Sequence, residues 1–269
     1  MTGGAQAIRY ADRLRLDGRG FIVLGAGDGI GAETARALSQ SGAIPFCVDL
    51  VQEKADAIAS ATGGHACVAD VTSADGVDHV FAEAKRVLGE IRGVVDIVGA
   101  VRVKPIADFS DDEFEWQQAI VLRHALYTVR AAARTMSADG VLTFVGSMIG
   151  NLAVPNQIVY GTYKAALHHL VRGAAAELGR QGIRVNAVAP GVIKTPLLLD
   201  LLDKEQWRKL DEGVPTGAVA RMDEIASALL FLSTDLASHV NGVVLPVDGG
   251  MGVVAALPTL NFGPAARDD

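Results

Sequence analysis

The sequence predicts a doubly wound α/β fold, a single domain on a parallel sheet of about seven strands with helices on both faces. Three observations point there. Short apolar runs alternate with helix-length amphipathic segments from near residue 20 to Val247. The runs are apolar throughout instead of alternating with polar residues, as strands buried on both faces are. A glycine-rich turn follows the first run directly.

In chain order the strands are read at Phe21 to Leu24, Ile44 to Val48, Ala66 to Val68, Val94 to Val98, Val141 to Val145, Ile183 to Val188 and Val243 to Val247. Helices are read at Ile30 to Gln40, Val77 to Leu88, Phe114 to Met136, Tyr160 to Leu178 and Asp223 to Leu232, where apolar residues recur every three or four positions. No proline- or serine-rich linker and no repeat of fixed period interrupts the alternation. Residues 1–269 are therefore taken as one domain with its core at 18–251. Two segments break the rhythm. Residues 195–217 read as an amphipathic helical lid where a strand's carboxyl end should open onto a ligand crevice, with Leu197, Leu198, Leu199, Leu201, Leu202 and Trp207 as its apolar part. Residues 252–269 form a tail with two prolines and a charged end, expected either to fray or to pack on a neighbouring subunit.

Composition narrows the function. Of 269 residues, 24 are Lys or Arg and 31 are Asp or Glu, a net charge of −7 that argues against a nucleic-acid surface. Half the chain is hydrophobic and a fifth charged, proportions of a globular protein with a sizeable core. No stretch reaches the roughly 18 uninterrupted apolar residues of a membrane helix, and the first twenty or so lack the apolar core of a secretory signal. A cytoplasmic protein with no membrane partner is expected. Cys47 and Cys67 lie in apolar runs without a partner at metal-ligand spacing, so they read as buried free thiols, and no metal site is expected.

The segment FIVLGAGDGIGAETARAL is a strand, a turn and a helix. Gly25, Gly29 and Gly31 let the backbone turn sharply and approach a pyrophosphate, whose charge would meet the N–H groups of the helix starting near Ile30. This is a Rossmann-type dinucleotide site in outline. Asp49, at the end of the second strand, can accept both ribose hydroxyls and repel a 2′-phosphate, which favours NAD over NADP.

The spacing Gly25-x-x-x-Gly29-x-Gly31 resembles the short-chain dehydrogenase/reductase family, and the likeness extends over about residues 18–251. It includes Asp70-Val71, Ser147 thirteen residues before Tyr160, the Tyr160-x-x-x-Lys164 motif, the run RVNAVAPGVIKTP (Arg184 to Pro196) and the ending LPVDGG (Leu245 to Gly250). The resemblance implies hydride transfer between an alcohol or ketone and NAD, with Ser147, Tyr160 and Lys164 as catalytic residues. It further implies cofactor contacts at Ile30, Asp70, Val71, Gly99, Tyr160, Lys164, Ile193 and Thr195, with Asp70 and Val71 at the adenine and Ile193 and Thr195 at the nicotinamide carboxamide. Family members commonly pair two long helices across two-fold axes, so a homo-oligomer, most often a tetramer, is expected through Phe114 to Met136 and Tyr160 to Leu178.

The chemistry of the motif is physically reasonable. A free phenol has a pKa near 10, so Tyr160 needs a neighbouring cation to act as a base, and Lys164 lies one helical turn on. Ser147, following a strand, can hold the substrate oxygen as it gains or loses a proton. Gln157, Met148 and Leu152 would border the substrate. His124, His168 and His169 have no acidic or Cys companions at ligand spacing and are read as surface or interhelix packing.

Three positions depart from the family. Leu24 replaces the usual Thr before the first glycine. Asp96-Ile97-Val98-Gly99 replaces Asn-Asn-Ala-Gly after the fourth strand, and Val121 stands where the Asn of the catalytic tetrad is expected. In the family that residue's main-chain carbonyl holds the water linking the catalytic Lys to solvent. Val121 keeps the carbonyl, so proton relay should survive if the helix kink does. The leading expectation is an NAD-dependent oxidoreductase acting on a small hydrophobic secondary alcohol and its ketone. A 3-oxoacyl-thioester reductase and a non-catalytic nucleotide-binding relative are the alternatives.

Overall fold

The computed structural model describes residues 8–254. Seven strands, β1 (Gly20–Leu24), β2 (Ile44–Asp49), β3 (His65–Val68), β4 (Ile91–Asp96), β5 (Val141–Val145), β6 (Arg184–Pro190) and β7 (Val244–Val247), lie in the order β3-β2-β1-β4-β5-β6-β7. Every neighbouring pair is parallel. Successive side chains of a strand point to opposite faces, and here both faces are covered. Phe21, Val23, Cys47 and Val95 enter the core under helices α1 (Gly29–Gln40), α2 (Gln52–Thr62) and α9 (Met222–Ser233). Ile22, Leu24, Phe46 and Val94 enter the other, under α3 (Ala74–Leu88), α5 (His124–Thr135) and α6 (Ile158–Leu178). This double burial explains the continuously apolar runs. The strand order reverses between β1 and β4, and the carboxyl ends of these two strands open the crevice that binds ligands in such sheets. Among the described residues, no helix is long and apolar enough to cross a membrane.

All seven expected strands are present, and the structure departs from the sequence reading at α2, at the end of β4, along the helix expected over Phe114 to Met136 and in the lid segment. Helix α2 escaped it because its buried side is only Ala55, Ile58 and Ala59, too weak an apolar stripe to stand out. Strand β4 stops at Asp96, two residues early, because the Asp96 carboxylate accepts the Val98 N–H at 3.1 Å and turns the chain out of the sheet. The helix expected over Phe114 to Met136 is three pieces: α4 (Asp111–Gln118), a π-helical segment (Ala119–Arg123) and α5. It also starts earlier, where Ser110 and Glu113 cap each other's backbone N–H groups. The lid segment is two helices, α7 (Pro196–Leu201) and α8 (Lys204–Glu212), split where Asp203 and Gln206 form a second capping box. The expected tail lies outside the described residues beyond Val254, as does the side chain of Leu197.

Candidate active site

The β1–α1 turn is shaped by what glycine permits. Gly29 has φ of 58°, and a Cβ on Gly31 would overlap the carbonyl oxygen of Gly25. Gly25 and Ala26 both donate to the Val48 carbonyl at 2.9 Å, tying the turn to β2. Asp28 stands at the N-cap of α1 but sends its carboxylate to Lys54, 2.5 Å away, and caps nothing. The first-turn N–H groups of Gly29 and Ile30 consequently have no acceptor among the described residues. Unpaired amides at a helix start, beside glycines that leave room for a ligand, are the donors an anionic pyrophosphate takes. The residues present fit a dinucleotide.

Other cofactor candidates lie around this turn. Asp49 is held by two backbone donors, Gly27 N–H and Val51 N–H, each at 3.0 Å, so its carboxylate is fixed at the end of β2. Asp70 is exposed and accepts from the amide and hydroxyl of Thr72 at 2.9 and 2.6 Å, while Val71 is buried. Gly99 is exposed, and a Cβ there would stand 3.5 Å from Lys164 Nζ. Ile193 is buried and pairs with Ala220 in an isolated bridge. Thr195 caps α7, its oxygen accepting the Leu198 N–H at 3.4 Å, which leaves the hydroxyl proton free to be donated.

Ser147, Tyr160 and Lys164 meet at the carboxyl end of β5. The Ser147 oxygen accepts the Ile149 N–H at 3.2 Å as the 3-10 turn Met148–Gly150 begins. Burial pushes the Tyr160 phenol up to about 12, and its hydrogen bond with Ser147 pulls the other way. Tyr160 as a whole is half-buried. Lys164 is buried, donates to the Val145 carbonyl at 2.7 Å and has its Nζ 5.7 Å from the centre of the Tyr160 ring. Burial brings Lys164 down to about 8, partly offset by the charge of Asp96. Low polarity thus drives phenol and amine toward their neutral forms.

Two of the histidines read as packing do more than pack. His168, one turn beyond Lys164, is buried between Gly146 and Gly150, where any side chain would collide with its ring. Its Nε2 lies 3.5 Å from the Ser147 N–H and its Nδ1 3.2 Å from the Asn151 side-chain oxygen. Burial and the Lys164 charge push it down to about 4, so it stays a neutral imidazole that accepts from Ser147. His124 has an acidic companion after all. Its Nε2 is 3.2 Å from Asp96 Oδ1, a pairing hidden by 28 residues of separation and visible only once β4 and α5 pack together. His169 is exposed, as expected. Gln117 was not anticipated either: fully buried, it donates to the Ala100 carbonyl at 2.7 Å and accepts the Arg102 N–H at 2.9 Å, bracing the loop after β4. Val121 is buried in the π segment. Among the described residues no group of three His, Cys, Asp or Glu could hold a metal.

Known proteins give independent support. The profile of a family described as enoyl-(acyl carrier protein) reductase matches residues 25–252. Galactitol 2-dehydrogenase (L-tagatose-forming) of Cereibacter sphaeroides is 35% identical over 252 residues, covering 90% of this chain and 98% of the relative. A solved 7α-hydroxysteroid dehydrogenase in complex with NADH and 7-oxo glycochenodeoxycholic acid is 31% identical, with a TM-score of 0.85 over 90% of this chain and 98% of that one. A gluconate 5-dehydrogenase from Burkholderia cenocepacia, in complex with NADP and tartrate, is also 31% identical, with a TM-score of 0.85 over 92% of this chain and 100% of its own.

Proposed function

Given that the chain belongs to the short-chain dehydrogenase/reductase family, we propose that it is an NAD-dependent dehydrogenase interconverting a hydrophobic secondary alcohol and its ketone, with Ser147, Tyr160 and Lys164 as the reacting residues. The observation that carries this reading is their convergence beside a crevice whose other wall offers unpaired helix amides. When bound, the nicotinamide cofactor supplies the hydride acceptor or donor. Ile30 and Gly29 would donate to its pyrophosphate, Asp49 would accept from its ribose, and Thr195 would donate to its carboxamide.

In the protein alone Tyr160 stays a phenol, the form that protonates a ketone oxygen. Alcohol oxidation needs the phenolate, which a protonated Lys164 at close range stabilises. Ser147 donates its hydroxyl proton to the substrate oxygen and so holds it against Tyr160. The fixed carboxylate of Asp49 favours NAD, since a 2′-phosphate would face it with its charge unpaired. Lys54 lies beside Asp49, but its ammonium is paired with Asp28.

The exposed side chains of Leu199 and Leu201, 52% and 65% accessible, support an apolar substrate. Leu152, on the turn after Ser147, is also exposed, and Trp207 lies beside Lys194, whose Nζ is 5.7 Å from the ring centre. A 3-oxoacyl-thioester substrate is the second reading, supported by the 29% identity over 245 residues to a 3-oxoacyl-(acyl-carrier-protein) reductase of Thermotoga maritima. A homotetramer through α5 and α6 completes the proposal. On these helices Ala131, Ala132, Ala174 and Ala175 are buried in the chain's own core, Ala133 and Ala166 are half-buried, and Ala165 and Ala176 are exposed. Turnover of a panel of cyclic and steroidal secondary alcohols with NAD and with NADP, beside an acetoacetyl thioester, tests the reading. NAD-linked oxidation of one or more alcohols is expected; turnover of the thioester alone would overturn it. Light scattering that gives 28.0 kDa at micromolar concentration would remove the tetramer.

A further inference from the structure

We infer that Asp96 and His124 form a buried pair sharing one proton, and that this pair positions Lys164 by gripping the two backbone segments around it. The inference rests on the reading of Tyr160 and Lys164 as the acid–base pair. Asp96 is 2% and His124 1% accessible, in a place where an unpaired carboxylate would be costly. The protonation of the pair follows from its partners. His124 Nδ1 lies 3.2 Å from the Ala119 carbonyl, which only accepts, so Nδ1 carries a hydrogen. Nε2 lies 3.2 Å from Asp96 Oδ1, and that contact is a hydrogen bond only if one further proton sits between the two atoms. Whichever atom holds it, the pair has no net charge, and its burial becomes tolerable.

Each member grips a different segment. Asp96 Oδ1 also accepts the Val98 N–H at 3.1 Å, fixing the turn that brings Gly99 against Lys164 Nζ. The Ala119 carbonyl receives the His124 side chain and the His124 backbone N–H together, which closes the π segment at its carboxyl end. That segment contains Val121 and packs against α6, the helix that carries Lys164. Thr128 sits below, its hydroxyl 3.0 Å from the His124 carbonyl and 3.5 Å from Asp96 Oδ2. The π turn that contains Val121 thus has a brace that owes nothing to the side chain at 121. The titratable groups around Lys164 are Asp96 from β4, His124 from α5, and Tyr160 and His168 from its own helix; β5 contributes the Val145 carbonyl. Asp96 acts on the Lys164 charge as well as on its surroundings. Removing His124 leaves that carboxylate without its partner and strengthens its hold on the ammonium.

The test follows the Lys164 titration directly, by NMR of the full chain labelled with 13C-lysine and assigned with Lys164→Arg, so that it does not depend on any substrate. His124→Ala should raise the Lys164 midpoint by about one pH unit or more, Asp96→Asn should lower it, and the double variant should follow Asp96→Asn because it too lacks the carboxylate. Once a substrate is in hand, His124→Ala should lower kcat about tenfold or more while KM for NAD changes by less than about twofold. Should His124→Ala fail to fold, Asp96→Asn carries the same test with the opposite sign, and His124→Asn supplies a smaller side chain able to reach the same carbonyl. Folded variants whose Lys164 midpoints stay within about 0.3 unit of wild type would overturn the pair's role. A protein that turns over no alcohol but shows the expected shifts would instead overturn the dehydrogenase reading and leave the pair standing.

Discussion

On the β1–α1 wall of the crevice the working groups are backbone amides, with one carboxylate itself held by two amides. On the β4–α5 wall they are side chains that hold one another: Asp96 on His124, His124 on Ala119, Gln117 on the loop after β4. The first wall depends on residues having no side chain, so substitution fails there by collision at Gly31 and by backbone strain at Gly25 and Gly29, whose φ are 78° and 58°. The second depends on pairs, so either partner can change if the other follows. This is why the first wall keeps the family's glycines and the second departs from the family at Asp96 and Val121 while its π turn persists.

The largest effect should come where the walls meet. Tyr160→Phe keeps the ring and removes the hydroxyl with its transferable proton, and it should lower kcat by roughly 10² to 10⁴ while NAD binding, which loses one contact of several, weakens by less than about tenfold. Retained turnover would mean that the two walls serve some other group. Gly31→Ala tests the first wall alone. The new Cβ meets the Gly25 carbonyl, so it should cost about 1–3 kcal/mol of stability and weaken NAD at least about tenfold by fluorescence titration.

Lys164 offers a pH test of the second wall. Its pKa is about 8 in the fold against an ordinary 10.5. Above 10.5 the lysine is neutral in both states and its burial carries no charge penalty. As pH falls from 10.5 to 8 the unfolded chain binds the proton first, so stability falls; below about 8 the loss is constant. Lys164→Met should therefore be more stable than wild type at pH 7 by up to about 3 kcal/mol, with the difference fading as pH nears 10.5, while turnover is lost. Thermal unfolding at both pH values measures it, and a variant equally destabilised at each would refute it.

Asp49→Ala should narrow the preference for NAD over NADP at least about tenfold, or about 1.4 kcal/mol, without touching the second wall. The smallest effect is expected from Val121→Asn, which restores the family's residue where the π turn already stands: less than about tenfold in kcat, under roughly 1.4 kcal/mol of barrier. A wild-type protein that binds NAD, oxidises nothing, and gains activity only with Val121→Asn would show that the second wall has lost its function.

The sequence by itself determined the sheet, helices α1, α3, α6 and α9, the glycine turn and the Tyr160–Lys164 spacing. All of these are local: apolar period, glycine placement and one helical turn are properties of neighbouring residues. Helix α2 was not legible because its buried face is mostly alanine, whose burial comes from the close approach of β2 and β3 rather than from any strong stripe. Tertiary structure alone decided the rest of the site. Asp96 meets His124 across 28 residues and Ser147 meets His168 across 21. A histidine's role depends on which acceptor the fold brings to each ring nitrogen. The π turn, too, is invisible to periodicity, since the shift from four to five residues per hydrogen bond lasts a single turn and is held by a side chain that packs from outside it.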